Sequence, residues 1–209
     1  MSSPGSSCTS SSIGRIRSAG ESPTIGDPEL TAADRAALLA LARRAIEAAL
    51  RGETPPAVPA VPGAALCRGA FVSLEEQGRV LRGCIGHVAG DRPLGEVVRR
   101  VAVSAARADP RFPPVTAAEL PELRIEISVL DEPVRVAPVD PVRVVIGRDG
   151  LLVRRGRTQA VLLPQVATEQ GLGAEAFLCA VCQKAGLSAH SWREPATEVF
   201  TFTADIFVE

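Results

Sequence analysis

The sequence predicts an α+β fold, with a mixed and mostly antiparallel sheet and flanking helices. Segments in which apolar and polar residues alternate mostly follow one another along the chain, as antiparallel strands do. Segments with helical periodicity stand apart from these strands. The chain has 209 residues, of which 46% are hydrophobic, and this is enough to enclose a core. We expect one domain over residues 28–209, preceded by a tail at residues 1–27.

The tail and the first helix differ in composition. Residues 1–27 are rich in serine, glycine and proline and offer little to bury, so we expect them to be disordered. Residues 30–50 carry an apolar stripe with helical spacing, and Thr31 and Asp34 are placed to form a capping box at its start. Residues 52–63 are proline-rich and aperiodic, which predicts a semi-rigid linker inside the domain.

Two strands and a helix are predicted after the linker. Residues 66–74 and 79–85 alternate like strands, and the turn-forming sequence EEQG joins them at 75–78. Pro93 then opens a helical pattern that continues to residue 108. Proline suits the first helical position because the N–H that it lacks would have no partner there.

Further strands are predicted in the second half of the chain. Residues 123–130, LRIEISVL, alternate strictly, and this pattern places Glu126 on the polar face of the strand. Residues 142–155 predict a hairpin with an Asp-Gly turn, a pair that suits positive φ. Residues 160–163 would pair onward as a third strand.

A helix and one strand complete the predicted fold. Residues 174–185 have helical periodicity, and Gly186 supplies the left-handed residue that commonly ends a helix. Residues 198–208 alternate throughout, which predicts a single closing strand.

Charge and composition exclude several classes of protein. The net charge is −1, and the chain has six phenylalanines, one tryptophan and no tyrosine, which argues against nucleic acid as a partner. No segment approaches the roughly 18 apolar residues of a membrane helix, so we expect no membrane association. Five cysteines, an odd number at low density, indicate a reducing compartment. We therefore expect a cytoplasmic location.

Six motifs occur along the chain in a particular order. They are LRGCIG (81–86), DPRFPPV (109–115), EISVL (126–130), LLPQVA (162–167), CQKAGL (182–187) and Trp192. This series resembles the AMMECR domain family, whose bacterial and archaeal members are called AmmeMemoRadiSam system protein A. LRGCIG is the hallmark of that family, and the resemblance covers residues 30–209.

The resemblance implies a fold of two unequal lobes with a cleft, near which the LRGCIG segment lies. It also implies two protein partners, a Memo-type protein and a radical S-adenosylmethionine enzyme. We expect a bacterial source. The family brings no established reaction with it, so the chemistry has to be argued from the residues.

Cys84, in the LRGCIG motif, is the first candidate for a catalytic residue. Arg82 lies two residues away, hence on the same face of a strand, where a guanidinium favours the reactive thiolate. Gly83 and Gly86 leave the backbone open to a ligand, so we place them, with Arg82, in a substrate-binding site. The alternative is that Cys84 is a small buried residue and that the glycines permit a bulge.

A nucleophilic cysteine normally works with a base. The chain has two histidines, His87 and His190, and neither falls in a motif of the family. A carboxylate is therefore the expected proton carrier. Glu126, on the polar face of its strand, comes first; Asp109, which is also a candidate for substrate binding, comes second. The alternative for Glu126 is a salt bridge with an arginine.

Four more residues have side chains that can bind a ligand or a metal. Arg111, in DPRF, can bind an anion or a carboxylate, or it can hold the Asp-Pro turn in shape. Gln165 can offer its amide to a substrate or satisfy the backbone of its own loop. Cys179 and Cys182 form a CxxC pair inside a helical pattern with apolar neighbours, so we expect core residues there. The sequence predicts no metal and no cofactor.

Two functions remain open. In the first, the chain is an enzyme, or the substrate-handling subunit of one, and the cleft at Cys84 acts on a small molecule or a protein. In the second, the chain is a non-catalytic module that binds a protein or RNA.

Overall fold

The structure, a computed structural model, describes residues 29–78 and 80–209. The tail predicted at residues 1–27 lies outside the described residues. The described chain divides into two compact units, each with its own four-stranded sheet and its own hydrophobic core. The predicted α+β fold is confirmed. None of the helices in the described part of the chain is both long enough and apolar enough to cross a membrane.

The first unit comprises the described residues from 29 to 129, together with residues 205–209. Its sheet has the strand order β2-β1-β3-β8, and β1 runs antiparallel to both β2 and β3. The elements of this unit are α1 (Ala32–Arg51), β1 (Ala70–Glu76), β2 (Val80–His87), α2 (Leu94–Arg107), β3 (Arg124–Leu130) and β8 (Ala204–Val208).

The capping box predicted at the start of α1 is confirmed. The side chain of Thr31 accepts a hydrogen bond from the N–H of Asp34, and the Asp34 carboxylate accepts one from the N–H of Thr31. The same carboxylate also accepts a hydrogen bond from the N–H of Gly63 at 2.8 Å. Asp34 therefore joins the end of the proline-rich linker to the start of the helix.

The core of the first unit lies on one face of its sheet. The apolar residues of β3 are buried as predicted, among them Ile125 and Ile127, and they pack with Val72 of β1 and Val98 of α2. The opposite face carries polar side chains, but it is not fully exposed, since Ser128 is also buried.

The predicted boundaries at the start of this unit shift by a few residues. Strand β1 begins at Ala70, because the segment before it turns to bind α2: the carbonyl of Leu66 accepts the N–H of Leu94 at 2.7 Å. Pro93 is the N-cap of α2 and precedes its first helical residue. Strand β1 also continues through Glu76, with a bulge at Leu74 and Glu75. The first two residues of the predicted EEQG turn therefore belong to the strand.

The second unit comprises residues 130–204. Its sheet has the order β4-β7-β5-β6, with antiparallel pairs β4–β7, β5–β7 and β5–β6. The predicted helix at 174–185 is confirmed, and Gly186 after it has φ of 73°. The elements are β4 (Val134–Val136), β5 (Gly150–Arg155), β6 (Thr158–Leu162), α3 (Pro164–Glu169), α4 (Ala174–Lys184) and β7 (Glu198–Phe202).

The hairpin predicted at 142–155 is wrong in its first arm. Residues 141–143 form a short 3-10 helix and residues 146–148 form a turn, and the Asp149 carboxylate accepts the N–H of Val145 at 2.9 Å, which holds this loop closed. The valines there alternate but have no neighbouring strand, and Val142 is 88% exposed. The hairpin instead joins β5 to β6, where Gly156 has positive φ, so the strand predicted at 160–163 is confirmed as β6.

The single strand predicted at 198–208 is also wrong. It is two strands, β7 and β8, which belong to different sheets. The break is at Thr203, whose carbonyl accepts the N–H of Asp131 at 2.9 Å and whose hydroxyl donates to the Asp131 carboxylate. The apolar alternation continues across the break, so the sequence pattern alone does not reveal it.

Candidate functional site

A row of three side chains crosses the first sheet on the face opposite its core. Ser73 in β1 pairs with Cys84 in β2 on one side and with Glu126 in β3 on the other. The hydroxyl of Ser73 donates a hydrogen bond to Cys84 Sγ at 3.2 Å. Since neighbouring strands lie about 4.8 Å apart, the backbones of Cys84 and Glu126 are roughly 10 Å apart, with Ser73 between them.

The DPRF turn holds the backbone of Cys84. Strand β2 lies at the edge of the sheet, so the outward N–H and C=O of Cys84 need partners from elsewhere. The Asp109 carboxylate accepts the N–H of Cys84 at 2.8 Å, and Arg111 Nη2 donates to the Cys84 carbonyl at 3.2 Å. The turn therefore binds both polar groups of this one peptide position.

Asp109 is a buried carboxylate whose bonds favour its ionised form. Arg111 donates to it from Nε at 2.9 Å and from Nη2 at 2.7 Å, which is a bidentate ion pair. These bonds, followed by those from the N–H groups of Cys84 and Arg111, hold the pKa of Asp109 well below its ordinary value although burial opposes this. Asp109 is thus a fixed acceptor, and the expectation that it is the second proton carrier loses its support.

Arg111 is a cation in direct contact with Cys84. Its pKa is raised, first by the hydrogen bond with Asp109 and then, against desolvation, by attraction to Asp109 and to the Cys84 thiol. The Arg111 side chain is 54% exposed, so its guanidinium is accessible to an incoming group. The expected role in shaping the Asp-Pro turn and the expected role beside a ligand are both compatible with this position.

Arg82 does not take the position expected for it. Its side chain is buried, and its guanidinium donates to the Pro113 carbonyl at 2.9 Å and to Glu119 Oε1 at 3.1 Å. Its other ion pair is with Glu76 at 4.0 Å. Arg82 therefore fastens the segment around 113–119 to the edge strand. These contacts are with Pro113, Glu119 and Glu76 rather than with the thiol.

The two glycines of the motif are explained by packing. A Cβ atom on Gly83 would lie closer than 3.0 Å to the carbonyl oxygen of Ala105 in α2, and one on Gly86 would lie closer than 3.0 Å to the ring of Phe71. Gly83 thus allows the helix to approach the strand, and Gly86 allows an aromatic ring to lie against its backbone. The space that we expected a ligand to use is filled by the protein.

Gln165 and the two histidines make contacts within their own units. Gln165 belongs to the second unit, where it lies half-buried in the first turn of α3. His87 bonds to Asp91 at 2.6 Å, and this hydrogen bond lowers the pKa of Asp91. His190 is in the second unit, with Nδ1 3.6 Å from the Sγ atom of Cys179.

Of the CxxC pair, Cys182 matches the expectation of a core residue. It is fully buried, and burial raises the pKa of its thiol. Cys179 is only half-buried. Within residues 29–78 and 80–209, no group of three or more histidine, cysteine, aspartate or glutamate side chains is arranged to hold a metal ion.

Sequence reasoning missed two residues of the site, Ser73 and Glu119. Ser73 lies on the polar face of a predicted strand, but only the register of the sheet places its hydroxyl beside Cys84. Glu119 is bonded to Arg82, 37 positions away along the chain. The Ser73 contact depends on the exact register of the β1–β2 hairpin, which contains a bulge at Leu74 and Glu75, and the Glu119 contact depends on residues distant in sequence.

Comparisons with known proteins agree with this structure. Residues 39–207 match the family model AMMECR1. A protein of Methanothermobacter thermautotrophicus is 47% identical over 180 residues, covering 82% of this chain and 92% of that protein. Protein TK0174 of Thermococcus kodakarensis is 43% identical over 183 residues, covering 82% and 88%. These relatives are archaeal, and the expected bacterial source stays a prediction.

A solved structure supports the same assignment at the level of the fold. The crystal structure of the uncharacterized protein PH0010 from Pyrococcus horikoshii superposes with a TM-score of 0.79 at 40% identity. The similarity covers 82% of this chain and 89% of that one.

Proposed function

The chain belongs to the AMMECR1 family, and from that premise we propose that Cys84 is a nucleophilic thiol that takes up an electrophilic group from a substrate. The observation that carries the proposal is the hydrogen bond from Ser73 to Cys84 Sγ at 3.2 Å, on a backbone held by Asp109 and Arg111. This bond directs a hydroxyl donor at the sulfur, and such a donor stabilises the charged form of its acceptor.

The surroundings of Cys84 favour the thiolate, which is the nucleophilic form of a cysteine. Hydrogen bonding to a charged form stabilises that form, and the Ser73 hydroxyl donates to the sulfur. Arg111 adds a positive charge near the sulfur. The attraction between Arg111 and Cys84 is mutual, because Cys84 contributes to the raised pKa of Arg111, although Asp109 contributes more. Asp109 keeps the guanidinium in place by binding two of its nitrogens.

The substrate group would lie over Ser73, between Cys84 and Glu126. Sγ forms a bond to a carbonyl-type carbon, the bond to the leaving group breaks, and the proposed acid Glu126 gives that group a proton. Glu126 is half-buried and belongs to the same row of side chains, which supports this role. From the family motif LLPQVA we also propose that the Gln165 amide contributes to binding the substrate.

We further propose that the chain is the substrate-handling component of a three-protein system with a Memo-type protein and a radical S-adenosylmethionine enzyme. Membership of the family supports this partnership. A covalently held group on Cys84 is suited to transfer between proteins, because a thioester retains enough reactivity for a second nucleophile to remove it. The substrate is a small molecule or a protein that bears such an electrophilic carbon, and a cytoplasmic location is part of the same proposal.

The proposal is tested by looking for the adduct. The full-length protein is incubated with native cell extract, and the peptide containing Cys84 is weighed by mass spectrometry before and after treatment with hydroxylamine. We expect a mass increase on Cys84 that hydroxylamine removes, and no such increase in Cys84→Ser. Cys182→Ser is the matched control, because that thiol is buried in the other unit.

Absence of any adduct on Cys84, together with undiminished capture of partner proteins by Cys84→Ser, would contradict the proposal. That pair of results would favour the alternative, a non-catalytic module that binds a protein or RNA.

A further inference from the structure

A second thiol lies beside a titratable side chain, in the unit that does not contain Cys84. The Sγ atom of Cys179, in α4, is 3.6 Å from Nδ1 of His190. Cys179 is half-buried and the imidazole of His190 is exposed, so both groups are within reach of a small molecule. Cys179 and His190 are called the α4 pair below.

The chain reversal after α4 places the imidazole at this point. Gly186 takes the left-handed conformation, and the N–H of Leu187 bonds to the carbonyl of Cys182 at 3.0 Å, which directs the chain back along the helix. Beyond His190, the guanidinium of Arg193 forms an ion pair with Glu175 in the first turn of α4. The segment is thus attached to the helix on both sides of the histidine.

The two cysteines of the CxxC sequence have different surroundings. Cys182 is fully buried, and burial raises the pKa of its thiol, so it belongs to the core of the second unit. Cys179 lies one turn earlier on the helix, beside the imidazole and with part of its surface open. Packing accounts for Cys182, but it does not account for a histidine against Cys179.

Two carboxylates on α4 and on the returning segment are engaged in ion pairs. Glu175 on the helix is bonded to Arg193 on the returning segment, and Glu194 is bonded to Arg155 at 2.7 Å. His190 is consequently the group that can accept a proton from the sulfur, because neutral imidazole carries one unprotonated nitrogen.

We propose that the α4 pair is a thiol-exchange site, at which Cys179 forms mixed disulfides with low-molecular-weight disulfides. His190 takes the thiol proton while the Cys179 sulfur attacks one sulfur of the small disulfide. A new S–S bond forms, the S–S bond of the small molecule breaks, and its other half leaves as a thiolate that recovers the proton from His190. Cys179 is oxidised and the departing thiol is reduced, so electrons balance without a further reactant.

This site is independent of the function proposed for Cys84. The α4 pair makes a regulatory or protective modification possible in the second unit, and it does so with residues that lie outside the Cys84 row. It also gives a role to His190, which the Cys84 chemistry does not use.

The test uses the full-length protein and glutathione disulfide as the probe. The rate at which the Cys179 peptide gains one glutathione is followed by mass spectrometry at pH 7 and pH 9.5, for the wild type and for His190→Asn. Asparagine can still accept a hydrogen bond from the thiol, but it cannot take up the proton. His87→Asn is the matched control, since that histidine is bonded to Asp91 in the first unit.

An isolated cysteine thiol is only about 3% thiolate at pH 7, so a base can raise its rate up to roughly 30-fold. We expect His190→Asn to slow modification of Cys179 by at least about fivefold at pH 7, and by less than about twofold at pH 9.5. His87→Asn should have no effect. The proposal is overturned if wild-type Cys179 reacts no faster than N-acetylcysteine at pH 7, or if His190→Asn has the same effect at both pH values.

Discussion

Cys84 and Cys179 are both half-buried thiols, but different parts of the fold supply their partners. Cys84 lies on an edge strand, and the register of the sheet places the Ser73 hydroxyl beside its sulfur. Cys179 lies on a helix, and a chain reversal brings the imidazole of His190 to it. Each of these two contacts joins residues eleven positions apart, but the Cys84 site also needs the DPRF turn, whose Asp109 and Arg111 are 25 and 27 positions away.

The Cys84 and Cys179 sites are coupled to the stability of the fold in different ways. The backbone of Cys84 is bound by an ion pair whose carboxylate, Asp109, is buried, so changes around this thiol also disturb the fold. Cys179 has a side-chain contact that can be removed while the hydrogen bonds that end α4 at Ala185 and Leu187 are retained. Substitutions near Cys84 should therefore lower both the stability of the fold and the reactivity of the thiol. Substitutions near Cys179 should lower the reactivity of that thiol alone.

The largest loss of stability is expected from Asp109→Ala. This change leaves the N–H of Cys84 without its acceptor and removes the bidentate partner of Arg111. We expect a loss of about 2–4 kcal/mol, measured by urea unfolding, because a buried hydrogen-bonding group is then left unsatisfied. Asp91→Ala, which removes a more exposed aspartate from a surface pair with His87, should cost less than about 1 kcal/mol. Similar losses for the two variants would contradict this view of the DPRF turn.

Low pH should lower the stability of the first unit, because it protonates the Asp109 carboxylate. The pKa of Asp109 is lower in the folded chain than in the unfolded chain, chiefly because Arg111 bonds to it. Its contribution is therefore complete above the unfolded pKa, about 3.9, and is lost as the pH falls through the folded value. Urea unfolding at pH 7 and at pH 3 should show a smaller pH dependence for Asp109→Asn than for the wild type. An unchanged pH dependence would show that Asp109 is not the group responsible.

The next largest loss of stability is expected from Gly86→Ala, which places an extra methyl group in a packed position. A methyl group on Gly86 would collide with the ring of Phe71, so we expect Gly86→Ala to cost about 1–3 kcal/mol. The double variant Gly86→Ala with Phe71→Leu should lose less than the sum of the two single changes, because the smaller side chain makes room. Strict additivity would mean that the ring and the glycine do not interact.

Truncating each thiol in turn compares the two sites directly. Cys84→Ala loses the bond from Ser73 and should cost about 1–2 kcal/mol. Cys179→Ala should stay within about 0.5 kcal/mol, because alanine suits a helix and this position is half-buried. Urea unfolding measures both, and a larger loss at Cys179 would reverse the comparison.

Elements defined by local signals could be predicted from the sequence. Helix α1 follows from its capping box and apolar stripe, and α4 follows from its periodicity and the left-handed Gly186. Strand β3 follows from strict alternation. In each case the residues that determine the element are close together in the chain.

The sequence predictions that were wrong have a common physical cause. They depend on which residues pair across the fold, and those partners are distant along the chain. The valines near Val142 alternate like a strand, but no neighbouring strand lies beside them. Strands β7 and β8 alternate without a visible break at Thr203, and only the sheets they join separate them. Likewise, two arginines lie near Cys84 in the motifs, and only the fold shows that Arg82 bonds to Glu119 while Arg111 bonds to the Cys84 carbonyl.

The central claim is that Arg111 and Ser73 favour the thiolate of Cys84. The direct measurement is the rate of iodoacetamide alkylation of the Cys84 peptide at pH 7 and pH 9, in the wild type and in Arg111→Lys, Arg111→Gln and Ser73→Ala. Lysine keeps the positive charge and glutamine removes it. All variants are first confirmed to be folded by their thermal transitions.

We predict that wild-type Cys84 reacts at pH 7 at least about tenfold faster than N-acetylcysteine. Arg111→Gln and Ser73→Ala should slow alkylation more at pH 7 than at pH 9, and Arg111→Lys should retain most of the wild-type rate. Equal slowing at both pH values, or a wild-type Cys84 no faster than N-acetylcysteine, would contradict the claim and leave Cys84 as a residue that fills the corner of an edge strand.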